Sequence, residues 1–423
     1  MTSLRERFDD AVASPAPTIP ISGKALYATA LHRRRVRNRL VSAAVAGCTA
    51  AVVAVVAALV TADGKDRAAP TPAVSGSATP TPAADRPYSF DGRVEQALAT
   101  DAGHLYAVQL RCATKDEESC VSVLYGSEDG GRTWTERKRG IASGLQTPAP
   151  GVLGAFVTTS PTSVAYRISA DGGRTWKDSK AASGTIPAVP AGGWPTCRED
   201  NSGVMRCAMY GVDRQTGTQR KLAAQPPNLT PIAVNPTPPG TGLWVSGYVQ
   251  QGRYTGAAVS RDNGRTWSTH VFGKDEADYP TGVNNQQVGI ATLDGTTVYA
   301  VVTVVGNDGK NRLLVYRSAD GGLTWQRGER GHEPPWLQHG ERAFVTADGT
   351  LVVQTVIDNP AEWYAGTSGA FTKPAPTTGL EHVDQMGQPV QVAAPGVYTA
   401  FDRTAVYTSP DGLHWTRHQV GPS

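Results

Sequence analysis

An eight-residue motif that recurs along most of the chain restricts its possible folds more than any other feature. It reads Ser127-Glu-Asp129-Gly-Gly131-Arg-Thr133-Trp134, Ser169-Ala-Asp171-Gly-Gly173-Arg-Thr175-Trp176, Ser260-Arg-Asp262-Asn-Gly264-Arg-Thr266-Trp267 and Ser318-Ala-Asp320-Gly-Gly322-Leu-Thr324-Trp325. A fifth copy, Ser409-Pro-Asp411-Gly-Leu-His-Trp415, is one residue shorter. Most copies follow a strand-like run such as Cys120–Tyr125, Ala257–Ser260, Leu313–Arg317 or Thr404–Thr408. The Asp carboxylate can accept bonds from backbone N–H groups further along, the glycines supply positive φ, and Thr-Trp restarts the next strand with a large apolar plate. A motif that recurs from repeat to repeat is a scaffold element, because an active site occurs once.

The spacing counts the units. The aspartates Asp129, Asp171, Asp262, Asp320 and Asp411 lie 42, 91, 58 and 91 residues apart. Each gap of 91 is about two repeats, so each hides a unit whose motif has decayed; Tyr210–Gly217 and Thr367–Phe371 are the candidates. Seven units over residues 88–423 average 48 residues, within the ~40–50 of a propeller blade. With 46 glycines, 30 prolines and only 18% charged residues, the chain suits short strands and turns, not a helical bundle. The expected fold is all-β: a propeller of seven four-stranded blades, with six blades and a long insertion as the fallback. Val298–Val305 and Leu313–Arg317 flank Asn307-Asp-Gly309, a hairpin signal, and Leu351–Val356, Gly242–Val249, Tyr254–Ser260 and Val397–Ala400 also read as strands.

The motif S-x-D-x-G-x-T-W resembles the Asp-box, or bacterial neuraminidase repeat, of sialidases, sortilin-type receptor ectodomains and many secreted propellers. The resemblance covers residues 88–423. It implies that the box turns join the third and fourth strands of each blade, away from any active site. A sialidase would also carry an arginine cluster introduced by an aromatic-Arg-Ile-Pro segment, a tyrosine nucleophile with a glutamate partner, and an acid/base aspartate. Tyr88–Glu95 has no such segment, and Tyr166-Arg-Ile168 directly precedes a box, so no catalytic position transfers.

Ahead of the repeats, Leu40–Ala62 is a run of 23 residues without a charge, long enough as a helix for the ~30 Å hydrocarbon core. His32–Arg39 carries five arginines against one end of it. Residues 1–39 hold a net +5, which leaves −2 for the rest of a chain whose total is +3. The positive-inside rule predicts a cytoplasmic basic tail (1–39), a single transmembrane helix (40–62), a Pro/Ala/Thr-rich linker (63–87) and an extracytoplasmic propeller (88–423). A cleavable signal sequence ending at Val60-Thr-Ala62 is the rival reading. The near-neutral body gives no electrostatic footprint for nucleic acid.

Four cysteines lie outside the apolar run, which holds Cys48. Cys112 and Cys120 bracket one turn-like stretch, Cys197 and Cys207 another, and both pairs are predicted to form disulfides in an oxidising exterior. A four-thiolate zinc site lacks the C-x2-C spacing, and no H-E-x-x-H, P-loop, G-x-S-x-G or dinucleotide motif appears, so no metal or cofactor is expected. The carboxylate pairs Glu117-Glu118 and Asp275-Glu276 read as solvated. Of the four tryptophans outside the boxes, Trp244 and Trp363 read as core, Trp194 is unassigned, and Trp336, in Gly331–His339, is the candidate ligand-binding residue. The sequence thus reads as a membrane-anchored propeller binding a glycan, peptide or envelope protein. The alternatives are a divergent exo-sialidase-like glycosidase and a transmembrane sensor whose residues 1–39 contact a cytoplasmic partner.

Overall fold

Twenty-seven strands among the described residues divide into seven sheets, and the burial of a strand follows from its place in its sheet. In the computed structural model the described residues are 91–114, 119–149, 151–160, 163–199, 207–249, 254–274, 276, 287–305, 311–328, 343–354, 363–366, 377–380 and 390–421. They belong to one unit, Asp85–Ser423. The basic tail, the apolar run, the linker, Thr367–Phe371 and Trp336 lie outside the described residues. Among those residues no helix is long and apolar enough to cross a membrane.

The first blade is β1 (Val94–Ala99), β2 (Leu105–Cys112), β3 (Cys120–Ser127) and β4 (Thr135–Arg139), antiparallel in that order. The second is β5 (Ile141–Ala149), β6 (Val152–Ser160), β7 (Ser163–Ser169) and β8 (Lys177–Asp178). The third departs from the pattern. Its order is β10 (Trp194–Glu199), β11 (Cys207–Val212), β12 (Gln219–Leu222) and then β9 (Ala181–Ile186), which pairs parallel to β12 although it precedes the others in the chain. The fourth is β13 (Thr230–Asn235), β14 (Leu243–Val249), β15 (Tyr254–Ser260) and β16 (Ser268–Val271), and the fifth β17 (Gln287–Thr292), β18 (Val298–Val305), β19 (Asn311–Ser318) and β20 (Gln326–Arg327). The sixth has three strands among the described residues, β21 (Ala343–Val345), β22 (Leu351–Gln354) and β23 (Trp363–Gly366). The seventh is β24 (Gln391–Ala394), β25 (Val397–Phe401), β26 (Ala405–Ser409) and β27 (Thr416–Gln419).

Middle strands carry blades on both faces, so they are apolar without alternation; all seven residues of β15 are buried. Last strands such as β4, Thr-Glu-Arg-Lys-Arg, are polar because one edge meets water. Between blades, apolar clusters fill every seam. Leu98, Tyr106 and Leu124 of the first blade meet Leu153, Ala155 and Val157 of the second. The third, fourth and fifth blades share one large cluster centred on Trp244, Val259, Phe272 and Tyr316. The seam between the second and third blades is thinner, with Val152, Ile168, Trp194 and Val212 as its buried members.

The ring closes by packing. Val94, Ala97, Leu105 and Trp134 share a cluster with Phe401, Val406 and Val420, and the Val94 N–H donates to the Arg403 carbonyl at 2.9 Å. Among the described residues no strand is exchanged between the first and last blades. Seven blades, not six, is therefore the count. In the regular blades, antiparallel order gathers the first-to-second and third-to-fourth connections at one end of the ring, the turn end. The second-to-third and blade-to-blade connections gather at the other, the crossover end.

Candidate binding face

At the turn end, each repeated motif forms the same hydrogen-bonded knot between third and fourth strands. In the first blade the Asp129 carboxylate accepts the Arg132 and Thr133 N–H groups at 3.0 and 2.9 Å and the Thr133 hydroxyl at 2.7 Å. The buried Ser127 hydroxyl donates to Asp129 at 2.8 Å and accepts the Gly131 N–H at 2.8 Å. Gly130 and Gly131 have φ of 72° and 91°, a region that disfavours any side chain. The Trp134 indole N–H closes the knot on the Gly131 carbonyl at 3.1 Å.

Asp171, Asp262, Asp320 and Asp411 repeat these bonds, the last with the His414 ring in place of the threonine hydroxyl. The consequence is electrostatic. The Thr266 hydroxyl and N–H hold Asp262 down at about 2, and the Thr324 hydroxyl and N–H do the same for Asp320. For Asp171 desolvation pushes upward, but the Thr175 and Ser169 donors outweigh it and leave the carboxyl at about 2. Every one of these carboxylates is spent on its own turn. Among the five motif indoles Trp267 is the exception, its buried N–H unpartnered, as are those of Trp194 and Trp363 outside the motifs.

Neighbouring turns are stitched together. Arg261, one residue before Asp262, donates to the carbonyls of Thr241, Gly295 and Gly321, each at 2.6 Å, and its guanidinium lies 5.4 Å from the Trp244 ring. It thereby ties the fourth blade to the fifth. Glu128 bridges Arg137 of its own blade and Arg174 of the next.

The crossover end is built differently. Cys112 and Cys120 face each other across β2 and β3 and are joined. Cys197 and Cys207 are joined diagonally across β10 and β11, where Cys197 pairs with Met209 and Cys207 with Glu199. Both predicted disulfides therefore clip hairpins at the end opposite the repeated turns. A cleft of about 480 Å³ opens at the same end of the fourth blade, lined by Asn228, Leu229, Thr230, Val249, Val271 and Lys274. Asn228 sits in the left-handed region, φ 58°, which asparagine tolerates better than most residues. Glu276, expected to be solvated, is instead half-buried and paired with Arg327.

Trp194, Trp244 and Trp363 are buried in strands and offer no face to a ligand. Tyr210–Gly217 does mark a blade: Tyr210 to Val212 lie in β11, and the Asp213 carboxylate accepts the Gln215 and Thr216 N–H groups at 2.9 and 2.7 Å in the turn to β12. Sequence reasoning missed a second set of turns, between first and second strands, where Asp101, Asp294 and Asp348 accept nearby N–H groups. The short signal Thr-x-Asp-Gly-Thr at Thr292–Thr296 and Thr346–Thr350 would have found two of them. A tyrosine–carboxylate pair also occurs, with the Tyr407 hydroxyl donating to Asp402 at 2.8 Å. Both residues are buried, and desolvation plus the carboxylate push Tyr407 up to about 12, the wrong direction for a nucleophile.

No family model matches the chain, and no curated protein does. Solved structures of similar architecture include a puromycin-hydrolysing peptidase of Mycobacterium tuberculosis, 13% identical with a TM-score of 0.43 over 79% of this chain and 55% of the peptidase. An α-L-arabinofuranosidase of Fusarium graminearum in complex with arabinobiose is 13% identical, TM-score 0.36, over 78% of this chain and 96% of that one. A Hadza microbial sialidase is 19% identical, TM-score 0.31, over 50% and 52%. The chain thus spans about half the length of the peptidase and of the sialidase. Likeness at this level assigns no activity.

Proposed function

We propose that the propeller is an extracytoplasmic binding module, held to a membrane by Leu40–Ala62 and recognising a glycan, peptide or envelope protein through its crossover end. The observation that carries this reading is the pair of disulfides, Cys112–Cys120 and Cys197–Cys207. Such bonds persist outside reducing compartments, and both brace the end of the ring free of repeated turns. The arginine cluster before Leu40 supports an inward N-terminus. The turn end, with its carboxylates consumed internally, serves as scaffold.

Two measurements test this. In intact cells, a membrane-impermeant protease should degrade the propeller while residues 1–39 stay protected; protection of the propeller overturns the topology. A fluorogenic sialoside offered to the full-length protein should not be turned over. Turnover abolished by a crossover-end substitution would replace the binding module with a glycosidase.

A further inference from the structure

The thin seam between the second and third blades leaves an aromatic surface uncovered. Leu153, Ala155 and Val157 of β6 point into the first blade's cluster, so by strand alternation Gly154, Phe156 and Thr158 point toward the third. There the buried contacts end at Val152 and Ile168. Phe156 is 42% exposed, unusual for a phenylalanine in the middle of a strand.

Its surroundings hold it in one pose. Phe156 pairs with Tyr166 of β7, the rings meeting edge to face at 5.3 Å and 61°. The Tyr166 ring lies across Gly154, where an added Cβ would come within 2.2 Å of the phenolic oxygen. Phe156 in turn lies over Gly144, its ring 3.1 Å from where a Cβ would sit. Gln146 donates to the Tyr166 hydroxyl at 2.5 Å. Whichever way the amide is turned, that bond leaves two donors and at least one acceptor on the Gln146–Tyr166 pair. Neither β5 nor β6 contains a charged residue.

We propose that Phe156, Tyr166 and Gln146 form a carbohydrate-stacking platform for a neutral glycan. A pyranose presents an apolar C–H face to lie on Phe156 and hydroxyls that both donate and accept at the Gln146–Tyr166 edge. The absence of charge on β5 and β6 suits a neutral sugar. A proline-rich peptide could stack equally well, but its ring nitrogens bring no donor for the free acceptor. The inference rests on the binding-module reading above but names a ligand class and puts it midway along β6, in the seam and not at the crossover end.

The test uses full-length protein in a detergent without a sugar headgroup, titrated calorimetrically with cello-, xylo-, manno- and maltohexaose. At least one should bind. Phe156→Ala should weaken it about tenfold and Tyr166→Phe about threefold, with melting temperatures close to wild type because Phe156 is exposed. Gly154→Ala, which displaces the Tyr166 ring, should weaken binding with both aromatics still present. The proposal falls if no hexaose binds the folded protein, or if Phe156→Ala binds as wild type. It also falls if decaproline binds in a Phe156-dependent way and the sugars do not. A sugar bound independently of Phe156 removes this site but leaves the binding module standing; protease protection of the propeller in cells removes the module's topology and leaves the platform to its own titration.

Discussion

The two ends of the ring solve different problems with different chemistry. At the turn end, Asp129, Asp171, Asp262, Asp320 and Asp411 repeat one set of bonds, and Arg261 and Glu128 join neighbouring turns. At the crossover end no such repeat appears among the described residues; two disulfides and a cleft beside Lys274 stand there instead. The repeated hydrogen bonds are concentrated at the turn end, and the opposite end is braced by covalent bonds instead. Loops positioned by a rigid scaffold are where binding surfaces usually arise.

Substitutions can break this contrast. Trp244→Ala should have the largest effect, about 3–5 kcal/mol by denaturant unfolding, because the ring fills the shared cluster, donates to Thr241 and packs under Gly322. A loss below about 1 kcal/mol would mean that the turn end does not carry the fold. Reducing the disulfides, which close loops of 8 and 10 residues, should cost about 2–3 kcal/mol each and be felt chiefly as faster proteolysis at the crossover end. Ser169→Ala removes a buried hydroxyl bonded to both Asp171 and Gly173 and should cost about 1–2 kcal/mol. Lys274→Ala, exposed beside the cleft, should change stability by less than about 0.5 kcal/mol.

Acid should separate a seam from the turns. His418 of the last blade is held below its usual value by burial, and its ring bonds to Thr408 at 2.7 Å beside Gly131 of the first blade. Its folded value is depressed, so the unfolded chain takes up a proton first, and the seam's stability, full above about 6.5, declines as the pH falls below it. The motif aspartates are depressed too. Their contribution is present above about 4 and is lost as the pH falls toward 2. A pH titration of melting temperature should show two declines, and His418→Gln should abolish the shallower one alone.

Much of the architecture was legible because the motif is a local object: Ser, Asp, Gly, Thr and Trp lie within eight residues and bond to one another. Seven units followed from spacing, and the disulfides from cysteines flanking turns. The parallel addition of β9 was not legible, since nothing in Ala181–Ile186 encodes which strand it will join. Nor was Phe156. Val152–Val157 reads as an apolar strand buried on both faces, and only the sparse packing of the neighbouring blade exposes the ring. The expected solvation of Glu276 failed for a similar reason, because Arg327 arrives from another blade.

Closure by side-chain packing has one more consequence. Where the first and last blades meet, β1 and β25 adjoin as blades do elsewhere in the ring, with no interleaved strand among the described residues to mark the spot. The propeller therefore has no privileged breakpoint. A circular permutant opened between β12 and β13, with Gly421 spliced back to Asp91, would keep all seven interfaces and should fold to the same ring.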